Sequence, residues 1–178
     1  MQTDGIGSRH NRWIGKEGNF FASFALTLEA LPPDLPLASV SIYVSWLMRE
    51  VLHEAGAKNV WLKWPNDFYV DEKKAGGTVT HLIQSSLIWG IGVNLVSPSD
   101  NFGSVKIATD ARDLWERYLR RLKKLPTWKQ VFSEYKIEFD LSRRFSVHTT
   151  DGKQSLKKAV LCDDGSLIID GRKVYSRR

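Results

Sequence analysis

The sequence is poor in cysteine and histidine, and it lacks long hydrophobic runs. Among its 178 residues the only cysteine is Cys162, and the four histidines are scattered. A single thiol cannot close an internal disulfide, and no spacing matches a metal site, which excludes a disulfide scaffold, a zinc finger and an iron–sulfur protein. The apolar runs are interrupted within about ten residues, whereas a membrane span needs about 20. No signal-peptide pattern is present, so we expect a cytoplasmic protein without a membrane partner.

Composition and charge point to a folded body with one basic end. Hydrophobic residues make up 42% and charged residues 26% of the chain, which is enough for a packed core. The net charge is +6, but residues 141–178 hold nine Lys/Arg against four Asp/Glu, and residues 1–140 hold 17 against 16. This distribution favours a solvated face, or a docking surface for an acidic protein, over a nucleic-acid groove. A basic, non-catalytic nucleic-acid-binding module remains the alternative from another functional class.

Hydrophobic periodicity predicts an α+β fold with two domains, 1–140 and 141–178. In the first domain we expect strands over 19–28, 60–63, 68–70, 78–83 and 86–95, and helices over 37–55, 111–125 and 128–139. After residue 140 the pattern changes to short strands separated by Asp-Gly pairs, which are typical of hairpins. We expect those strands over 145–148, 156–162, 166–170 and 173–175. Residues 1–13 are predicted to be a loop.

Two glycine-containing segments are candidates for close approach of a ligand. Residues 5–13 (GIGSRHNRW) could fold backbone amides around an anion, with Arg9 and Arg12 adding charge. Taken alone, this segment fits a flexible basic end better. Residues 90–94 (GIGVN) place two glycines on one strand face as a floor without side chains, and Asn94 is predicted to point to the same side. The alternative for this segment is a tight bend.

Two lysine-containing segments are candidates for phosphate chemistry. In residues 63–67 (KWPND) the proline is predicted to fix a turn that points Asn66 and Asp67 outward. A lysine, an amide and a carboxylate on one turn suit a nucleotide with Mg²⁺, although an ordinary Pro-Asn-Asp turn has the same composition. Lys74 precedes Gly76 and Gly77, which would put an ammonium group beside backbone that a ligand can approach. A solvated hairpin lysine is the alternative.

In combination and in this order, the four segments resemble the catalytic domain of biotin protein ligases. That family carries a Gly-Arg-Gly-Arg-x-Gly-Arg-x-Trp loop, a Lys-Trp-Pro-Asn-Asp turn, a Lys-x-x-Gly strand start and a Gly-x-Gly-x-Asn strand. The Lys-Trp-Pro-Asn-Asp turn is highly specific for the family and is complete at residues 63–67. Residues 141–178 are similar to the family's small SH3-like β-barrel. The resemblance implies a mixed sheet with packed helices, in a single-function ligase without a DNA-binding domain.

The sequence departs from the family pattern near its start. Ile6 and Ser8 stand where the family has arginines, and His10 replaces a glycine. The family's first strand, which carries biotin contacts, is absent from the sequence, so we expect either that an N-terminal segment is missing or that the protein is impaired. The lost charges predict weaker retention of the acyl-adenylate than an arginine-rich loop would give.

The resemblance implies a two-step reaction that uses biotin, ATP and Mg²⁺. The biotin carboxylate would attack the α-phosphate of ATP, giving biotinyl-5′-AMP and pyrophosphate. A lysine of the biotin carboxyl carrier protein of acetyl-CoA carboxylase would then attack the mixed anhydride. A lipoate or octanoate ligase of the same fold is the alternative substrate assignment. We expect a monomer or weak homodimer that binds no specific DNA.

The resemblance also assigns roles to residues at matching positions. The catalytic residues would be Lys74, Asp67, Lys63 and Arg9, and Asp67 would hold Mg²⁺ or help to deprotonate the incoming lysine. The biotin pocket would be lined by Gln2, Gly5, Ile6, Gly7, Ser8, Lys74, Gly77, Gly90 and Gly92. The nucleotide would be contacted by Arg9, Arg12, Trp13, Lys63, Asn66, Asp67 and Asn94.

Overall fold

A five-stranded antiparallel sheet with helices packed on one face forms the centre of the fold. The computed structural model describes residues 5–6, 12–13, 15–149 and 152–175. A short pair is formed by β1 (Gly5–Ile6) and β2 (Arg12–Trp13). The strands of the large sheet are β3 (Phe20–Thr27), β4 (Val60–Lys63), β5 (Asp67–Val70), β6 (Lys73–Ile83) and β7 (Ser86–Val93). Their order in the sheet is β3-β7-β6-β5-β4.

Helices connect and cover these strands. The α-helices are α1 (Val40–Glu54), α2 (Ala111–Leu122) and α3 (Trp128–Glu138), and 3-10 helices span Leu28–Ala30, Leu37–Ser39 and Phe139–Arg144. Helix α1 contacts β4, β5 and β6, and α2 contacts α1 and β3. No helix among the described residues is long and apolar enough to cross a membrane.

Buried and more exposed residues alternate along the strands, so that one face of the sheet is buried and the other is open. In β7, Leu87, Trp89, Ile91 and Val93 are buried, whereas the residues between them are more exposed. This period of two is the strand repeat, so alternate residues face the helices. The Trp89 indole N–H donates to the Tyr118 hydroxyl at 3.0 Å, which in turn donates to the Val44 carbonyl at 3.0 Å. These two bonds link β7 to α2 and α1 inside the core.

The edge strand β4 is covered by the C-terminal end of α3 and by the 3-10 helix that follows it. The Leu62 N–H donates to Glu138 Oε1 at 2.6 Å, and the Trp64 N–H donates to Ser142 Oγ at 3.1 Å. An unpaired edge would leave these donors without backbone partners, and the two side chains supply acceptors instead. Burial raises the pKa of Glu138 despite its ion pair with Arg49.

The C-terminal module, which the sequence analysis placed at residues 141–178, contains five short strands in two sheets among its described residues. Strands β8 (Ser146–Thr149) and β9 (Gly152–Ser155) form one sheet, and β10 (Val160–Leu161), β11 (Leu167–Ile169) and β12 (Arg172–Val174) form the other. Buried residues of the module, among them Leu156 and Leu167, belong to the same hydrophobic core as the large sheet. The boundary predicted near residue 141 falls in the 3-10 helix Phe139–Arg144 and stays a prediction.

Residues 163–165, which we term the docking turn, fasten the module to the rest of the chain. The Trp128 indole N–H donates to the Asp163 carbonyl at 2.9 Å, and the Trp64 indole N–H donates to the Gly165 carbonyl at 2.9 Å. Between them, the Ser39 hydroxyl donates to the Asp164 carbonyl. Three consecutive carbonyls are therefore held by side chains from three separate parts of the chain.

The α+β fold class is confirmed, and two strand boundaries are corrected. Strand β6 begins at Lys73 rather than at residue 78, because Lys73 and Lys74 pair with Val70 and Tyr69. The strand predicted over 156–162 is confined to Val160–Leu161, because residues 157–158 form a turn. The sequence analysis missed β9, and all described strand pairs are antiparallel.

Replacing Gly165 by alanine is expected to destabilise the protein more than the same change at Gly171. Both glycines have positive φ, +75° and +77° respectively, and that conformation costs an alanine about 1–2 kcal/mol. A Cβ at Gly165 would also lie 3.0 Å from Ile42 Cδ1 and closer still to Ser39 Oγ, whereas nothing lies within 4 Å at Gly171. Overpacking adds about 1–3 kcal/mol. Urea unfolding measures both variants, and equal losses would contradict this account of the docking turn.

Candidate functional site

One row of residues crosses the open face of the sheet and joins three of the four candidate segments. Cα partners run from Lys63 in β4 to Asp67 in β5, Gly77 in β6, Gly92 in β7 and Phe21 in β3. Residues directly opposite one another on antiparallel strands share a face of the sheet. Strand pairing thus brings the segments 63–67, 74–77 and 90–94 together.

Lys74 and Asp67 form an ion pair beside this row. The Lys74 Nζ lies 2.6 Å from Asp67 Oδ1, and the two side chains are 32% and 14% exposed. The register between β5 and β6 shifts after Phe68, so that Tyr69 pairs with Lys74 and Ala75 has no partner. Such a β-bulge re-aims side chains. It brings Lys74 to the face that carries Asp67.

Lys63 is almost completely buried among aromatic rings. Its side chain has only 8% exposure, and its Nζ lies 5.5 Å from the Tyr69 ring centroid and 5.7 Å from that of Phe145. The rings of Trp61, Tyr69 and Phe145 lie 5.0–5.5 Å from one another. Burial, together with the negative charge of Asp67, raises the pKa of Tyr69 to about 12. Tyr69 therefore stays a neutral phenol at physiological pH.

The open face has a floor without side chains, formed by Gly77, Gly90 and Gly92. A Cβ added at Gly90 would lie 3.4 Å from Val79 Cγ2 and 3.9 Å from Ser23 Oγ, which are ordinary contact distances. Packing therefore does not require glycine at this position. On the opposite face the reverse holds for Gly76, whose added Cβ would lie 2.9 Å from the Phe68 ring.

Asn66 does not point outward as the sequence analysis predicted. It is 1% exposed, and its amide NH₂ donates to the Thr78 carbonyl in β6. The amide is turned inward because it satisfies this buried carbonyl. Its Oδ1 is also buried and accepts no hydrogen bond from the described residues. The nucleotide contact assigned to Asn66 stays a prediction.

Asn94 is likewise buried, and its side chain bonds to the protein. The Asn19 amide donates to Asn94 Oδ1 at 3.3 Å, and Asn94 Nδ2 donates to the Gly103 carbonyl at 3.4 Å. Asn19 Oδ1 also accepts the N–H groups of Leu95 and Val96, at 2.9 and 2.6 Å. Asn94 therefore anchors the loop that follows β7, and its nucleotide contact stays a prediction.

The structure describes the N-terminal segment only in part. Strands β1 and β2 pair Gly5 with Trp13 and Ile6 with Arg12, so the predicted loop contains a short hairpin ladder. The remaining site residues predicted in this segment lie outside the described residues. They are Gln2, Gly7, Ser8 and Arg9.

Among the described residues of the candidate site, one carboxylate is available to a divalent cation, that of Asp67. Among the described residues no three His, Cys, Asp or Glu side chains come together as a metal site. Mg²⁺ is usually held by one or two carboxylates together with substrate phosphates. Asp67 on the open face supplies one carboxylate for that mode, and the substrate phosphates would supply the other ligands. A metal site built from protein side chains alone does not fit.

Comparison with known proteins assigns the chain to a family. The model of the biotin/lipoate A/B protein ligase family matches residues 1–95, more than half of the chain. The chain belongs to this family.

Family members of known sequence match the chain over part of their length. The bifunctional ligase/repressor BirA of Escherichia coli is 31% identical over 100 residues, covering 53% of this chain and 30% of that protein. BirA of Bacillus subtilis is 28% identical over 109 residues, covering 57% and 32%. The chain thus spans about a third of the length of the curated relatives that it matches.

Solved structures match nearly the whole chain. Biotin acetyl coenzyme A carboxylase synthetase from Helicobacter pylori, with bound biotinylated ATP, is 37% identical and has a TM-score of 0.91, covering 98% of this chain and 82% of that one. Biotin protein ligase from Leishmania major, in complex with biotinyl-5-AMP, is 25% identical with a TM-score of 0.67, covering 98% and 84%.

Sequence reasoning missed several residues of the site. Tyr69 is two positions after Asp67 in a strand, so the strand period placed it on the same face and was an available signal. Phe145 reaches the site only through tertiary packing, about which the local pattern says nothing. The same holds for Phe21 and Ser23, which belong to the distant strand β3.

Alanine at Gly90 is expected to be tolerated by the fold, and alanine at Gly76 is not. Gly90→Ala adds a methyl group at ordinary contact distance. Replacing a strand glycine by alanine stabilises the folded protein by about 0.5–1 kcal/mol, because glycine loses more conformational freedom on folding. Gly76→Ala would force aside the Phe68 ring and the Gly92 carbonyl of β7, which lies closer still, at about 1–3 kcal/mol. Thermal unfolding of both variants tests this. A Gly90→Ala variant as unstable as Gly76→Ala would mean that Gly90 is required by packing rather than by the open face.

Proposed function

We propose that this protein attaches biotin to a lysine of a biotin carboxyl carrier protein through biotinyl-5′-AMP made from biotin and ATP. The observation that carries the proposal is the row from Lys63 to Gly92, in which cations flank a glycine floor on an open sheet face. The likeness to a Helicobacter pylori structure with bound biotinylated ATP supports it. The need for ATP and a carrier protein implies action in the cytoplasm.

In the first step the biotin carboxylate oxygen forms a bond to the α-phosphorus of ATP, and the bond to the β-phosphate oxygen breaks. Pyrophosphate leaves with that oxygen and its electron pair. Both reactants are anions, so positioned cations lower the barrier. Lys74 would meet both the carboxylate and the α-phosphate, and its ammonium group is paired with Asp67. Lys63, on the same face, would meet a phosphate. Mg²⁺ on Asp67 and the ATP phosphates would supply further positive charge.

The glycine floor suits the fused rings of biotin. The ureido and thiophane rings of biotin form a compact bicycle that can approach backbone without side chains closely, and Gly77, Gly90 and Gly92 provide such backbone. Phe21 and Val79 on the same face add apolar contact. By resemblance, Gln2, Gly5, Ile6, Gly7 and Ser8 complete the biotin pocket. Arg9, Arg12, Trp13, Asn66 and Asn94 complete the nucleotide site.

In the second step the carrier lysine attacks the carbonyl carbon of the anhydride. A carbon–nitrogen bond forms, the carbon–oxygen bond to the phosphate breaks, and AMP leaves with the electron pair. The attacking amine must be neutral and must lose a proton during the reaction. The Asp67 carboxylate would accept it, as the alternative to a role in holding Mg²⁺.

Pyrophosphate release that depends on biotin is the direct test of the proposed function. Because the intact turn at residues 63–67 resembles biotin ligases, release with biotin should exceed release with lipoate or octanoate. A coupled pyrophosphate assay with each acid at equal concentration measures this. Equal or greater release with lipoate or octanoate would favour the alternative substrate, and release with none would refute the ligase assignment.

Lys74→Ala is expected to impair adenylation far more than folding. Its ion pair is partly exposed, and such pairs contribute about 0–1 kcal/mol to stability. A charge that acts on the transition state contributes about 100- to 1,000-fold in rate. The control is Lys73→Ala, which removes the neighbouring exposed lysine, whose ammonium donates to the Asp100 carbonyl at 2.8 Å. Equal adenylation rates for Lys74→Ala and Lys73→Ala at saturating substrate would indicate that Lys74 is only a solvated hairpin lysine.

A further inference from the structure

Residues 63 and 64 of the candidate site are contacted by the segment that follows α3. The Phe145 ring lies under the Lys63 ammonium group, with 5.7 Å between Nζ and the ring centroid. The Trp64 N–H donates to Ser142 Oγ at 3.1 Å, and the Trp64 indole donates to the Gly165 carbonyl at 2.9 Å. Residues between 142 and 165 therefore touch both the side chain and the backbone of the candidate catalytic turn.

The ring of Phe145 is part of the environment that surrounds the buried Lys63 ammonium group. A side chain with 8% exposure has lost most of the water that would solvate its charge. Aromatic faces recover part of that loss, because a cation within about 6 Å of a ring centroid is attracted to the ring. Tyr69 supplies one face from the sheet itself. Phe145 supplies the other from the C-terminal side.

We propose that Phe145 and the Trp64–Gly165 hydrogen bond position Lys63 for ATP, so that the C-terminal module takes part in the first half-reaction. This inference rests on the proposed function. Phe145 and Trp64 act through Lys63 and are positioning residues rather than catalytic ones. The module is thereby more than a docking surface for the carrier protein.

The docking turn offers a matched control. Trp128 donates its indole N–H to the Asp163 carbonyl at 2.9 Å, the same bond that Trp64 makes to Gly165 two residues later. Trp128 lies in α3, and its hydrogen bonds and ring contact go to Asp34, Asp163 and Phe132. Trp128→Phe and Trp64→Phe each remove one indole bond to the turn, and only the second loosens the candidate catalytic turn.

The experiment compares Phe145→Leu, Phe145→Tyr, Trp64→Phe and Trp128→Phe with the parent protein in two measurements. The first is the acetylation rate of Lys63 in the free protein, by mass spectrometry after limiting acetic anhydride, relative to the exposed Lys136. It needs no activity. The second is KM for ATP and for biotin, with kcat, in biotin-dependent pyrophosphate release. Urea unfolding places the variants on one stability scale.

Phe145→Leu and Trp64→Phe are expected to raise both Lys63 labelling and KM for ATP. Losing a desolvated cation–aromatic contact corresponds to about 5- to 30-fold. KM for biotin should stay within about twofold of the parent value, because biotin lies on the glycine floor. Phe145→Tyr keeps a ring under Lys63, so its Lys63 labelling and its KM for ATP should equal those of the parent protein. Trp128→Phe should match the parent in both.

Each remaining outcome overturns a specific claim. If Trp128→Phe changes labelling and KM for ATP as much as Trp64→Phe does, the module acts through stability alone and the inference is wrong. Unchanged labelling in Phe145→Leu also overturns it, as does increased labelling with an unchanged KM for ATP. If the parent releases no pyrophosphate with biotin while labelling changes as expected, the proposed function fails, and the positioning of Lys63 by Phe145 stands.

Discussion

The register of the five-stranded sheet is the constraint on which the candidate site depends. Side chains alternate between the faces of a strand, so a slip of one residue would move a whole set of side chains to the opposite face. Burial of Leu62 and Phe68 against the helices sets which residues face inward. Lys63 and Asp67, which neighbour them in sequence, must then face the open side. Packing of the hydrophobic core thus determines the face of the sheet to which the charged side chains point.

The strand that carries Lys63 lies at the edge of the sheet, and the C-terminal side of the chain covers that edge. Glu138 and Ser142 accept the outward N–H groups of Leu62 and Trp64, which an edge strand would otherwise leave unpaired. Burying Glu138 is unfavourable for its charge, and Arg49 offsets part of that cost. The contacts that protect the edge of the sheet are adjacent to those that surround Lys63. Stability of the edge and placement of the ammonium group therefore have a common origin.

Local sequence signals predicted most elements of the fold and three segments of the site. They did not predict the orientation or the contacts of the side chains within those elements. The proline turn at residues 63–67 was recognised, yet Asn66 turns inward, because the Thr78 carbonyl beneath it needs a donor. The start of β6 was placed too late, because a β-bulge at Ala75 is invisible to a period-two pattern. Phe145 could not be found at all. Its contact with Lys63 joins residues 82 positions apart and follows from packing of the module.

Glycines in the same sheet have two different physical origins. At Gly76 a side chain would collide with Phe68, so glycine there is explained by the core. At Gly90 a side chain has room, and the backbone is not in a positive-φ conformation. A strand glycine without a packing reason lowers stability, because it loses more conformational freedom on folding and packs nothing. Gly90 lies beside Val79 on the face that carries Asp67 and Gly77. Its presence is therefore better explained by a ligand that must approach the strand backbone closely than by the fold.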